Sequence, residues 1–92
     1  MEIKEVIKQR EDAYGSFECV ARVSQELKGI MYESLVNEKD NVEYEALEMM
    51  LHKIARIICS KHVLLDEYRD IAGYAILVLN SLENQGLESN FK

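Results

Sequence analysis

Two acidic residues, Glu67 and Asp70, fall where a predicted helix should present apolar side chains. At about 100° per residue, Glu67 lies within the apolar face that continues through residues 71–82, and Asp70 lies at its edge. A buried carboxylate without a partner is costly, so it usually has a cation, a metal ion or a raised pKa. The spacing therefore indicates a ligand site, an ion pair with Lys53 or Arg56, or a frayed helix end that reaches water.

A second acidic pair, Glu45 and Glu48, lies on the preceding predicted helix with the same spacing of three residues. Each pair projects its carboxylates to one side of its helix, and oxygen clusters of this kind suit Mg²⁺ or Mn²⁺. If the two helices pack antiparallel, the pairs lie at opposite ends unless the helices are staggered. The alternative is a solvated face with salt bridges, in which Glu48 reaches His52.

Basic and aromatic side chains accompany the acids. Arg56 can bind a phosphate through two hydrogen bonds and Lys53 supplies a point charge, which would neutralise the phosphates of a nucleotide. The alternative is an interhelical salt bridge from these two residues to the acids of residues 66–70. Tyr14 is a candidate to stack on a base, or to serve as a hydrophobic staple beside the helix-ending Gly15.

Four helices are predicted to position these side chains. Helical periodicity without a sustained alternating pattern predicts an all-α fold. Ser16 and Asp40 are suited to cap the second and third helices, and Gly29 suggests a tight helix crossing. The predicted helices span residues 3–12, 16–35, 42–59 and 65–83, followed by a polar tail at 84–92.

Composition narrows the class of protein. Ninety-two residues form one domain, and the net charge of −6 argues against a protein that binds nucleic acid directly. No apolar run is long enough to span a membrane and no signal segment precedes the first helix, so we expect a cytoplasmic protein. Cys19 and Cys59 lack a metal-ligand spacing, and we expect reduced thiols rather than a disulfide or zinc site.

Three segments resemble small phage and prophage domains placed near the MazG-like, all-α nucleoside triphosphate pyrophosphohydrolases. They are Arg10-Glu-Asp-Ala-Tyr-Gly-Ser-Phe17, Lys53-Ile-Ala-Arg-Ile57 and the Asp-x-x-x-Asp-Ile-Ala-Gly-Tyr-Ala element from Asp66 to Ala75. The Glu-x-x-Glu and Glu-x-x-Asp pairs are similar to the signature of that superfamily.

The resemblance implies a MazG-like four-helix bundle completed by dimerisation, a bacterial host and a nucleotide as ligand. Glu45, Glu48, Glu67 and Asp70 would hold Mg²⁺ or Mn²⁺, with Glu48 and Glu67 as the catalytic pair. Lys53, Arg56 and Tyr14 would bind the substrate. The short chain, and apolar residues that nearly encircle the third helix, also favour a homodimer.

The sequence leaves the choice between enzyme and non-enzyme open. The alternative function is a non-catalytic, phage-encoded interaction protein that inhibits a host defence system, in the manner of an anti-CRISPR protein. It would offer its acidic surface to a host protein and would need no cofactor. A helical scaffold without any ligand is the third hypothesis.

Overall fold

The computed structural model describes residues 2–87, which form four helices and no strand. The all-α prediction is confirmed. The helix ends lie within two residues of the predicted ones, and residues 88–92 of the predicted polar tail lie outside the described part. The helices are α1 (Ile3–Tyr14), α2 (Phe17–Ser34), α3 (Asn41–Cys59) and α4 (Leu65–Asn84).

The predicted N-caps of α2 and α3 are confirmed. The Ser16 hydroxyl accepts a hydrogen bond from the Cys19 amide at 3.1 Å, and the Asp40 carboxylate accepts one from the Glu43 amide at 2.8 Å. The side-chain amide of Gln85 donates a hydrogen bond to Oδ2 of Asp40 at 2.8 Å, which places the capping residue of α3 near the end of α4. Local sequence signals therefore set where these helices begin.

The third helix lies in the middle of the fold. It packs against α2 on one side and α4 on the other, while α1 rests on α2 and α3; within residues 2–87, α2 and α4 do not meet. Contacts at both ends show that α2 and α3 run antiparallel: Cys19 meets Cys59, and Tyr32 meets Tyr44. The fold is thus an open row of helices rather than a closed square.

The prediction of two reduced thiols is wrong. Cys19 and Cys59 form a disulfide that joins the first turn of α2 to the last turn of α3. Antiparallel packing brings these turns together although the residues are 40 positions apart, so no local spacing could signal the bond. Disulfides are uncommon in reducing compartments, and the cytoplasmic location stays a prediction.

Gly29 does not mark a tight helix crossing, which corrects the expectation from its position within α2. A Cβ atom built on Gly29 would meet nothing within 4 Å. The close approach occurs instead at Gly15, which connects α1 to α2. Its positive φ of 85° is favourable only for glycine.

The single chain leaves much of its apolar surface uncovered. Only Val20, Ala46 and Ala55 are buried hydrophobic residues, and no large side chain is fully buried among residues 2–87. The radius of gyration is 15.8 Å, against about 12 Å expected for a compact chain of this length. No helix within residues 2–87 is both long and apolar enough to cross a membrane.

Candidate functional site

A buried carboxylate lies at the centre of the candidate site. Glu67 is 3% exposed in the first turns of α4 and faces α3. Its Oε1 accepts a hydrogen bond from Nη1 of Arg56 at 3.4 Å, and its Oε2 lies 3.4 Å from Nζ of Lys53. The predicted position of Glu67 within the core face is confirmed, as is the alternative that Lys53 and Arg56 form interhelical salt bridges.

Asp70, one turn after Glu67 on α4, shares one of these cations. Nζ of Lys53 lies 3.0 Å from Oδ2 of Asp70. Burial lowers the pKa of the Lys53 ammonium, but the hydrogen bond to Asp70 and the charge of Glu67 outweigh this effect, so the pKa is raised overall. Lys53 is therefore fully protonated at neutral pH and holds the carboxylates of both Glu67 and Asp70.

An aromatic side chain from the end of α1 completes the cluster. The guanidinium carbon of Arg56 lies 4.6 Å from the centre of the Tyr14 ring, within the range of a cation–π contact. Arg56 thus lies between Tyr14 and Glu67. The structure brings together five predicted site residues: Tyr14, Lys53, Arg56, Glu67 and Asp70.

Close contacts to two backbone carbonyl groups hold the end of α1 against the end of α3. The Ser60 hydroxyl donates a hydrogen bond to the carbonyl of Ala13 at 2.5 Å. Next to it, a Cβ atom on Gly15 would collide with the carbonyl oxygen of Cys59. These contacts fix the position of Tyr14 at the site.

The variant Gly15→Ala is expected to lower the free energy of unfolding by at least about 2 kcal/mol, because the positive φ alone costs an L-residue about 1–2 kcal/mol and the methyl group would meet the Cys59 carbonyl. Denaturation by guanidinium chloride measures this loss. Gly29→Ala is the matched control, since its methyl group meets open space and alanine favours a helix. Equal stability of the two variants would contradict the tight junction.

A cavity of about 380 Å³ opens between α1, α2 and α3, beside the ion cluster. Its walls combine apolar and aromatic side chains with three basic groups and one acid. The volume falls within the range of small-molecule sites. The residues that line it are Ile7, Arg10, Glu11, Tyr14, Gly15, Phe17, Val20, His52 and Arg56.

The cavity includes functional candidates that the sequence did not identify, notably Arg10, Phe17 and His52. Arg10 shares a helix face with Ile3 and Ile7, and an arginine on an apolar stripe was the available signal. Burial, together with the positive charges of Arg56, Lys28 and Lys53, lowers the pKa of His52. His52 is therefore neutral at neutral pH, and a bound anion would favour its protonation.

The acids of α3 lie away from this cluster. Glu48 accepts a hydrogen bond from the Tyr32 hydroxyl at 2.9 Å, which raises the pKa of that phenol, and Glu45 is exposed. Glu48 precedes Lys53 by five residues, or about 7.5 Å along the helix. Within residues 2–87, no three acidic, histidine or cysteine side chains are grouped to hold a metal ion. The four-carboxylate metal site stays a prediction.

Comparison with known proteins identifies a family. The model of a family described as "Domain of unknown function (DUF6378)" matches residues 1–81. No curated protein and no solved structure matches the chain.

Proposed function

The chain belongs to the DUF6378 family, and for this member we propose a nucleotide-binding function centred on the cavity between α1, α2 and α3. One observation carries the proposal: the cavity places apolar and aromatic groups beside several basic ones. A nucleotide requires this combination, because its base is flat and apolar on its faces while its phosphates are anionic. The MazG-like resemblance of the sequence supports the same class of ligand.

The side chains suggest how a nucleotide would lie. Phe17 is largely exposed at the cavity and offers a free ring face on which a base can stack. Arg10 and Arg56 would receive the phosphates, since guanidinium groups bind phosphate oxygens through paired hydrogen bonds. His52 would add a donor when protonated. Lys53 does not line the cavity and would act indirectly, by holding the Glu67 carboxylate that positions Arg56.

The pyrophosphohydrolase reaction, with Glu48 and Glu67 as its catalytic pair, stays a prediction. The carboxylates of one chain do not fit Mg²⁺ or Mn²⁺, because the Lys53 ammonium already lies within 3.0 Å of Asp70 and 3.4 Å of Glu67. A divalent ion would have to displace this lysine to reach both acids. We therefore propose binding without efficient hydrolysis.

Arg10→Gln is expected to weaken nucleotide binding by about tenfold, since a hydrogen bond to a charged group contributes about 1.5 kcal/mol. Titration calorimetry with nucleoside mono-, di- and triphosphates measures the dissociation constants. Arg22→Gln is the matched control: Arg22 is exposed on α2, pairs with Glu26 and does not line the cavity. Phe17→Ala should weaken binding of nucleotides more than binding of inorganic pyrophosphate.

The outcomes of this titration distinguish the candidate functions. No heat with any nucleotide, or equal dissociation constants for the two arginine variants, would overturn the proposal. Pyrophosphate release that requires Mn²⁺ and disappears in Glu48→Gln and Glu67→Gln would instead establish the enzyme. If nucleotides do not bind, a salt-sensitive complex with a purified host defence protein would favour the acidic interaction protein.

We also propose that the protein is a homodimer. The accessible surface is 7274 Å², against about 5,500 Å² expected for a compact monomer of this mass. A standard interface covers about 800 Å² on each partner, so pairing would remove a little under half of this excess. The exposed large hydrophobic residues, several of them on α4, would form such an interface.

A further inference from the structure

The fourth helix is an edge helix with a second apolar face. Among residues 2–87 it packs only on α3, towards which it turns Glu67, Ile71, Tyr74 and Val78. A neighbouring stripe points away from α3, and its four large members are between 55% and 63% exposed. We call this the outer stripe of α4; it consists of Leu65, Tyr68, Ala72, Ala75, Ile76 and Leu79.

The outer stripe has the spacing of a helix-pairing seam. Leu65, Ala72 and Leu79 are seven residues apart, and Tyr68 and Ala75 form a second row with the same repeat. Seven-residue repeats of apolar side chains allow two helices to pack along their length. Small residues in the middle of the stripe permit close approach of a second helix, and a Cβ atom on the adjacent Gly73 meets nothing within 4 Å.

The charges beside the outer stripe are complementary to those of a second copy of this chain. Arg69 and Glu83 lie seven residues before and after Ile76, or about 10 Å on either side along the helix. If two copies of α4 pack antiparallel about Ile76, Arg69 of each copy faces Glu83 of the other. A parallel pair would place like charges opposite each other at both positions. A second copy of this chain is therefore complementary to the stripe in one orientation.

We propose that the outer stripe of α4 packs antiparallel against the outer stripe of a second copy, with the twofold axis near Ile76. This inference rests on the proposed homodimer and assigns its interface. It also leaves the nucleotide cavity open, because that cavity is bordered by α1, α2 and α3 and by no residue of α4.

Sedimentation equilibrium at tens of micromolar tests the inference. Ile76→Glu should raise the dimer dissociation constant at least about 30-fold, because central apolar residues dominate interfaces and the change would bring two carboxylates together. Leu77→Glu is the matched control: Leu77 is 61% exposed on the same helix, but it lies about 100° from Ile76 around the helix axis and outside the stripe. This variant should change the constant by less than about threefold. Circular dichroism of both variants should show the helical content of the wild type.

Charge reversal tests the orientation. Arg69→Glu and Glu83→Arg should each weaken the homodimer several-fold, and an equimolar mixture of the two variants should regain wild-type affinity as a heterodimer. In a parallel pair, either reversal would leave the homodimer unchanged, since like charges already face each other there.

The outcomes separate this inference from the broader proposal. A wild-type monomer would overturn both the homodimer and the assigned interface. A dimer that tolerates Ile76→Glu as well as Leu77→Glu would overturn the interface alone. A dimer that is weakened by Ile76→Glu but indifferent to both charge reversals would overturn the antiparallel orientation.

Discussion

The double variant Cys19→Ser/Cys59→Ser is expected to lose about 4 kcal/mol of unfolding free energy, the entropic value for opening a crosslinked loop of about forty residues. The bond links residues 40 positions apart and joins α2 to α3 in a fold with few buried side chains. A loss of this size is a large part of the total stability of a small domain. Chemical denaturation of the oxidised wild type and the variant measures it.

Reduction supplies the control. The wild type in excess dithiothreitol should match the double serine variant, and the reductant should leave the variant itself unchanged. If oxidised and reduced wild type unfold at the same denaturant concentration, the disulfide does not constrain the native fold as the structure indicates.

The second large effect on stability is expected from replacement of the buried carboxylate of Glu67. Glu67→Gln should lower the free energy of unfolding by about 3 kcal/mol, because it keeps the shape but leaves two partly buried cations without their shared partner. The side chains of Lys53 and Arg56 are 13% and 22% exposed, so water compensates them only in part. Chemical denaturation at neutral pH measures the change.

The adjacent acid offers a matched control. Asp66 pairs with Arg69 at 2.9 Å, but its side chain is 88% exposed, and solvent screens such a pair. Asp66→Asn should therefore leave stability unchanged. A triple replacement of Glu67, Lys53 and Arg56 by leucine and methionines should recover most of the loss, since apolar packing can replace a buried ion cluster. Glu67→Gln as stable as Asp66→Asn would show that the cluster is not a stabilising unit.

Much of the architecture was predictable because its signals are local. Periodicity located the four helices, and Ser16 and Asp40 cap two of them, α2 and α3, as their side-chain chemistry indicates. Glu67 was recognised in the core face because helical geometry fixes the direction of each side chain. Its partners also followed from charge, since Lys53 and Arg56 face α4 when the two helices run antiparallel.

The features that sequence reasoning missed depend on contacts between distant helices. The disulfide requires that the start of α2 meets the end of α3, and nothing near either cysteine encodes that encounter. The cavity requires α1 to lie across α2 and α3, which gives Arg10 and His52 a common ligand space. The close helix crossing predicted at Gly29 is absent for a related reason: glycine permits a close crossing, but a neighbouring helix must also pack there.

The disulfide also gives the chain a closed covalent ring. Residues 19–59 form this ring, and the remaining segments leave it as two arms from the same point, because its two ends are bonded to each other. The first arm carries Tyr14 and the second carries Glu67, and Arg56 lies within the ring just before its closure. The ring thus holds the starting points of both arms beside Arg56. Tyr14 and Glu67 can therefore reach Arg56 without closing a long loop of flexible chain. A cut in the segment between α2 and α3 would accordingly leave two fragments still joined at this junction.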